Sequence, residues 1–469
     1  MTGKLIARPV EFPELPLLAD EPATLHAATR NACKLCAPLG ACLAFQGVEG
    51  AISLLHGSQG CATYIRRYMI SHFKEPVDVA SSSFSESTAI FGGKENLRLA
   101  LQNVVRQYQP TFIGIATTCL AETIGEDVAG FIREFRRDTH AAPLPWLATV
   151  STPSYAGTHA EGYHAAVRAI VDSLAEGGPP QDTVNLMPGI ISPADFRYLK
   201  EIFRDFGLKP IFVPDYSDTL DGPAWQEYHR IPPGGTPVDE IRSAGRSQAT
   251  IEFGSTWNRD STAGALLESR FRVPRHVMGM PIGVCATDRF FETLEAITGR
   301  RTPEQHQEER GRLIDCFVDA HKYVFDKRAI VYGEQDLVVG LAGLLAEVGM
   351  VPVLCASGAK TGRLRDAILE DNADLRSRIT AMEAVDFAGI EERAASMRPD
   401  LVIGSSKGYG LARRLGIPLI RVGFPIHDRI DGPRVVHLGY RGAQRLFDRI
   451  ANALIESQQN ASKVGYSYM

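Results

Sequence analysis

Three cysteines in the first third of the chain stand where thiols do chemistry. Cys36 lies in NACKLCAPLGACLAF, Cys61 in LLHGSQGCATY and Cys119 in TTCLAETIGED. Cys61 directly follows a glycine turn that opens a helix, where backbone N–H groups and the helix dipole favour the thiolate. Thiolates are the ligands of iron–sulfur clusters. Gly57 and Gly60 would let the backbone approach a bulky inorganic core. Ser154, in VSTPSYAGTH, adds a hydroxyl just after a strand. Taken singly, each cysteine has a plainer explanation as a small buried hydrophobe.

The other five cysteines are weaker candidates. Cys33 and Cys36 form a CxxC, but no second CxxC completes a zinc ribbon and no strand leads into it as in a thioredoxin motif. Spacing singles out neither Cys33 nor Cys42 as a ligand. Cys285, Cys316 and Cys355 sit in apolar stretches and are expected in the core. His427 and His437 are expected to be ordinary hydrogen-bonding groups. HGSQG is not a nucleophile elbow, since His56 stands where a glycine is needed. SGAKTG does not satisfy the phosphate-loop spacing, and IVYGEQD has one glycine where a dinucleotide fingerprint needs three. No nucleotide site is expected on this chain.

The elements that must position these groups alternate between strand and helix. TFIGIATT is a short apolar strand that runs into Cys119. KENLRLALQNVVRQYQP places Leu97, Leu101, Val104, Val105 and Tyr108 on one helical face, stopped by Pro110. WLATVST is a strand, and AEGYHAAVRAIVDSLAEG a helix. Pro38 and Gly40 mark a turn opening a helix after Cys36. TVNLMPG, KPIFVPD and ATIEFGS are strands of the middle third, and MPIGVCATDRFFETLEAITG continues the alternation. SPADFRYLKEIFRDFG carries Ser192 as N-cap, Pro193 at the first helical position and Gly207 as stop. RAIVYGEQDLVVGLAGLLAEVGMVPVLCASG, PDLVIGSS and IPLIRVGF repeat the pattern. YRGAQRLFDRIANALIESQ closes as an amphipathic helix with a polar tail. The fold class is α/β, three tandem Rossmann-like units with parallel sheets. The expected domains are 1–172 (an N-terminal extension and the cysteine-bearing unit), 173–310 and 311–469. Ligands gather at the carboxyl ends of strands in such sheets, which is where Cys61, Cys119 and Ser154 fall.

Length and composition agree with this. A chain of 469 residues is long enough for about three domains. A net charge of −5 gives no electrostatic footprint for nucleic acid. No apolar run approaches the ~18–20 residues of a membrane span, and the first thirty residues lack the order of a secretory signal. A cytoplasmic location is expected, where cysteines stay reduced.

CAPLGACLAF, LLHGSQGCATY, SHFKEP, SSSFSESTAIFGG, TTCLAETIGED, STPSYAGTH, GFPIHDR and GYRGAQRLFDRI together resemble the β-type subunit of nitrogenase component 1 and its relatives. The resemblance runs from about residue 30 to 456. It implies three Rossmann-like domains and an 8Fe-7S P-cluster shared with an α-type subunit. Cys36, Cys61 and Cys119 match the family's three cluster cysteines, Ser154 its serine that ligates iron on oxidation, and Gly60 lies beside the bridging Cys61. The resemblance also implies an α2β2 heterotetramer. An ATP-dependent 4Fe-4S iron protein would deliver electrons through the P-cluster to a catalytic cofactor on the α-type partner. ATIEFGSTWNRDS has no cysteine where the α-type chain has its cofactor ligand, so no catalytic residue is expected here. Within the family, the full thiol set in a scaffold-like sequence frame favours a nitrogenase-like reductase such as the methylthio-alkane reductase. The alternatives are a cofactor-assembly scaffold and a dinitrogenase β subunit.

Overall fold

The computed structural model describes residues 31–138 and 144–464. The expected N-terminal extension up to residue 30, and the end of the polar tail, lie outside the described residues. Three parallel sheets follow one another along the chain. The first is built of β1 (Ala51–His56), β2 (Val79–Ser81), β3 (Phe112–Thr117) and β4 (Trp146–Val150), in the order β2-β1-β3-β4. The second holds β5 (Gln181–Met187), β6 (Pro210–Phe212), β7 (Ser247–Phe253) and β8 (Arg275–Met278), in the order β6-β5-β7-β8. The third holds β9 (Arg328–Gly333), β10 (Val351–Ser357), β11 (Thr380–Met382), β12 (Leu401–Gly404) and β13 (Leu419–Arg421), in the order β11-β10-β9-β12-β13. β1, β3 and β10 are buried along their whole length, as expected of strands covered by helices on both faces.

The helices that matter below are α1 (Ala37–Phe45), α2 (Gln59–Phe73), α3 (Lys94–Tyr108), α4 (Cys119–Ile124), α5 (His159–Leu174), α6 (Pro193–Asp205), α7 (Glu304–Val324), α8 (Gln335–Glu347) and α9 (Gly439–Ala461). α6 starts as its sequence dictates. Ser192 Oγ accepts from the Asp195 amide at 3.0 Å, and the Asp195 carboxylate accepts from the Ser192 amide at 3.3 Å. Together they form a capping box ahead of Pro193. Asp195 also joins the second sheet's layer to the end of the third. It accepts from the amides of His437 at 2.7 Å and Leu438 at 3.1 Å. Among the described residues, no helix is long and apolar enough to cross a membrane.

Several expectations need correction. Gly40 lies inside α1 and is not part of a turn. MPIG forms no strand; the edge strand β8 lies just before it, and Gly283 opens the helix Val284–Thr298. That helix presents Cys285 to solvent, so it is not a core residue. Cys316 is half-buried on α7, its thiol 3.2 Å from an Asp448 carboxylate oxygen, and of these three cysteines Cys355 alone is fully buried. α7 itself has few apolar residues. It forms against α9, with Phe317 edge-on to Phe447 at 4.8 Å.

Candidate cluster-binding rim

The strand order explains how residues distant in sequence meet. β1, β3 and β4 are neighbours in the first sheet, so the loops leaving their carboxyl ends lie side by side. Those loops carry Cys61, Cys119 and Ser154. They are also tied together directly. The Thr118 amide donates to the His56 carbonyl at 3.0 Å, joining the exits of β1 and β3. Thr152 Oγ1 donates to the Thr117 carbonyl at 2.6 Å, and its amide donates to Thr117 Oγ1 at 3.0 Å, joining those of β3 and β4.

Each thiol then sits at a helix start. Cys36 caps α1, Cys61 is in the first turn of α2, and Cys119 is the first residue of α4. All three are free and half-exposed. The Ser58 hydroxyl donates to Cys61 Sγ at 3.8 Å. Ser154 joins the other two: its amide donates to Cys119 Sγ at 3.3 Å, and its hydroxyl accepts from the Ala37 amide, beside Cys36, at 3.3 Å. Burial pushes the Cys36 thiol up to about 11, and the nearby thiols of Cys61 and Cys119 add to the rise. This runs against the simple expectation that a helix start lowers a thiol's pKa. The charges of the other two thiols thus bear on Cys36. Among the described residues, no group of three His, Cys, Asp or Glu side chains closes around a single ion.

α1 reaches the rim by packing backbone against backbone on α5. A Cβ on Gly40 would stand 1.7 Å from the His159 carbonyl oxygen, and one on Gly162 1.9 Å from that of Ala37. Only glycine permits this crossing. The turn glycines divide their work differently from expectation. A Cβ on Gly57 would lie 2.0 Å from Thr118 Oγ1, so Gly57 serves the packing of two protein loops. Gly60 faces open space, with only Ser58 Oγ at 3.8 Å.

Sequence reasoning missed the support beneath the rim. His56, fully buried at the end of β1, places Nδ1 3.1 Å from Ser82 Oγ and Nε2 3.1 Å from a Glu126 carboxylate oxygen. Burial lowers its pKa, with Glu126 opposing. Glu126 also accepts from the Gly93 amide at 2.7 Å. Both residues stand beside the cysteine motifs, which was the available signal. His437 behaves as expected, with Nδ1 3.2 Å from Asp195. Around the thiols the surface is apolar: Tyr64, Ile90, Phe91, Leu120 and Tyr155 are all exposed, Phe91 at 85%.

A chain of three parallel sheets, with thiols gathered at the carboxyl edge of the first, is an α/β protein built to present sulfur at its surface. The chain belongs to the nitrogenase component 1 type oxidoreductase family, which matches it over residues 36–455. It is similar to the nitrogenase molybdenum-iron protein beta chain of Methanothermobacter marburgensis, at 37% identity over 90% of this chain and 93% of that one. It is also similar to the nitrogenase iron-molybdenum cofactor biosynthesis protein NifN of Bradyrhizobium diazoefficiens, at 34% identity over 92% and 91%. Among solved structures, Nitrogenase Cp1 at pH 6.5 has a chain that superposes with a TM-score of 0.91 at 32% identity, covering 96% of this chain and 98% of that one.

Proposed function

We propose that this chain is the β-type subunit of a cytoplasmic nitrogenase-like reductase, and that Cys36, Cys61, Cys119 and Ser154 hold half of an 8Fe-7S P-cluster at the interface with an α-type partner. The observation that carries this is the convergence of three free thiols and one hydroxyl on a half-exposed rim. The donor set fits such a group: thiolates for iron and a hydroxyl beside two of them. When bound, the cluster supplies one-electron relay between an iron protein and the partner's cofactor. This chain's own residues do the rest. α1, α2 and α4 fix the three thiols, and Ser154 keeps its hydroxyl within reach of the rim. The apolar side chains around the rim exclude water once a partner covers them, and α2β2 is the assembly this reading takes.

The substrate proposed is a small methylthio-alkane, cleaved with two electrons and two protons to methanethiol and a hydrocarbon. The chain is about one-third identical both to a dinitrogenase beta chain and to a cofactor-assembly protein, which supports a branch distinct from either. The second reading, a carrier for cofactor assembly, is favoured by the NifN relative. Anaerobic co-purification with the partner, followed by iron, molybdenum and vanadium counts and turnover assays, tests both. Cys61→Ala is expected to remove the P-cluster signals and electron transfer. Survival of both would overturn the ligand assignment. A transferable precursor cluster without thioether turnover would favour the carrier.

A further inference from the structure

A groove of about 340 Å³ lies in the third unit between the edge strand β13 and α9. Its walls carry Arg421, Arg429, Arg449, Asp431, Asn452 and Glu456. Arg449, Asn452 and Glu456 recur on one face of α9. The three arginines differ in how far they are satisfied. Arg421 is committed to Asp428, with Nη2 2.6 Å from a carboxylate oxygen. Arg429 donates to the Asp428 carbonyl at 2.7 Å and lies 3.7 Å from a carboxylate oxygen of the same residue, with the rest of its side chain half-exposed. Arg449 is the anomaly. Nη2 donates to the Arg421 carbonyl at 3.0 Å, while Nη1 is buried without a partner. Asp431 attracts it without closing an ion pair, and burial lowers its pKa below that of an ordinary arginine. A charged donor left buried and unmet beside a groove is costly unless something reaches it.

We propose that this groove binds a small molecule through an oxyanion, a carboxylate or a phosphate, seated between Arg429 and Arg449. Planar guanidinium groups match both geometries. Asn452 donates alongside, and Asp431 and Glu456 favour a ligand whose other end carries an amine or hydroxyl. A small turn of the Arg449 side chain brings Nη1 to the oxyanion.

Isothermal titration calorimetry on the full-length chain at fixed ionic strength tests this, with inorganic phosphate, acetate and glycine as probes and chloride as the control. Saturable one-site binding is expected for phosphate or for the two carboxylates. Phosphate alone identifies a phosphate site; acetate and glycine, with glycine the tighter, identify a carboxylate site. Arg449→Gln and Arg429→Gln should each weaken it about tenfold, the scale of one charge-assisted hydrogen bond. Arg429 is the more exposed, so its variant decides the matter should Arg449→Gln fail to fold. No saturable heat from any probe, or binding that neither variant changes, overturns the proposal.

Discussion

Replacing Gly162 by Ala puts a methyl group 1.9 Å from the Ala37 carbonyl oxygen and 2.6 Å from its carbon. Ordinary contact begins near ~3.5 Å, so α1 and α5 must part by about 1.5 Å. The atoms met are backbone and cannot rotate away. All nine residues of α1 are buried, so the helix has nowhere to slide. The cost should reach or exceed the upper end of ordinary overpacking, about 3 kcal/mol. The displacement also carries Cys36, which caps α1, away from the rim, while metal–ligand distances tolerate only ~0.2 Å. Thermal unfolding by scanning fluorimetry should therefore show a lower midpoint, and iron per chain in the anaerobic complex should fall with it. Gly311→Ala on α7 is the control. Its Cβ would meet nothing within 4 Å, and the change should be neutral or stabilising by up to about 1 kcal/mol. If Gly162→Ala unfolds with the wild type and binds as much iron, the crossing does not position the rim.

Burial holds the imidazoles of His72 near 3 and of His159 and His164 near 4. Their unfolded value is ~6.5, so the folded state excludes protons that the unfolded state binds. Their stabilising effect is complete above about pH 6.5 and is lost as pH falls toward 4. In that window these three groups contribute uptake of about three protons on unfolding, a slope of about 4 kcal/mol per pH unit. Urea titrations at a series of pH values check it, and a flat profile between pH 6.5 and 4.5 would refute it. Asp195→Ala strips a buried acceptor from the amides of Ser192, His437 and Leu438. It should cost about 3 kcal/mol or more and expose the chain near residues 431–437 to limited proteolysis; an unchanged digestion pattern would count against that joint.

Most of the fold was legible because its strands are short, apolar and separated by helices with clear starts. Ser192, Pro193 and Gly207 bracket α6 as their chemistry demands. What escaped lacked a local signal. β8 and β11 are half-exposed edge strands with no apolar run, and α7 owes its helix to α9 more than to its own periodicity. Cys285 looked internal because its neighbours are apolar, yet it stands on the outer side of its helix. At the rim, the positions of Cys61, Cys119 and Ser154 followed from the rule that strand ends face ligands. The meeting of Gly40 and Gly162 did not, because a glycine that permits helix contact reads in sequence like one that makes a turn. His56 with Glu126 is likewise a pairing that only the strand order creates.

The central claim is that Cys36, Cys61 and Cys119 jointly hold iron at a surface shared with a second chain. Anomalous diffraction at the iron edge, from anaerobic crystals of the complex with its partner, tests it most directly. Strong iron peaks within bonding distance of all three sulfur atoms, bordered by the partner, are predicted. A rim without iron, or iron bound elsewhere on the chain, would contradict the account.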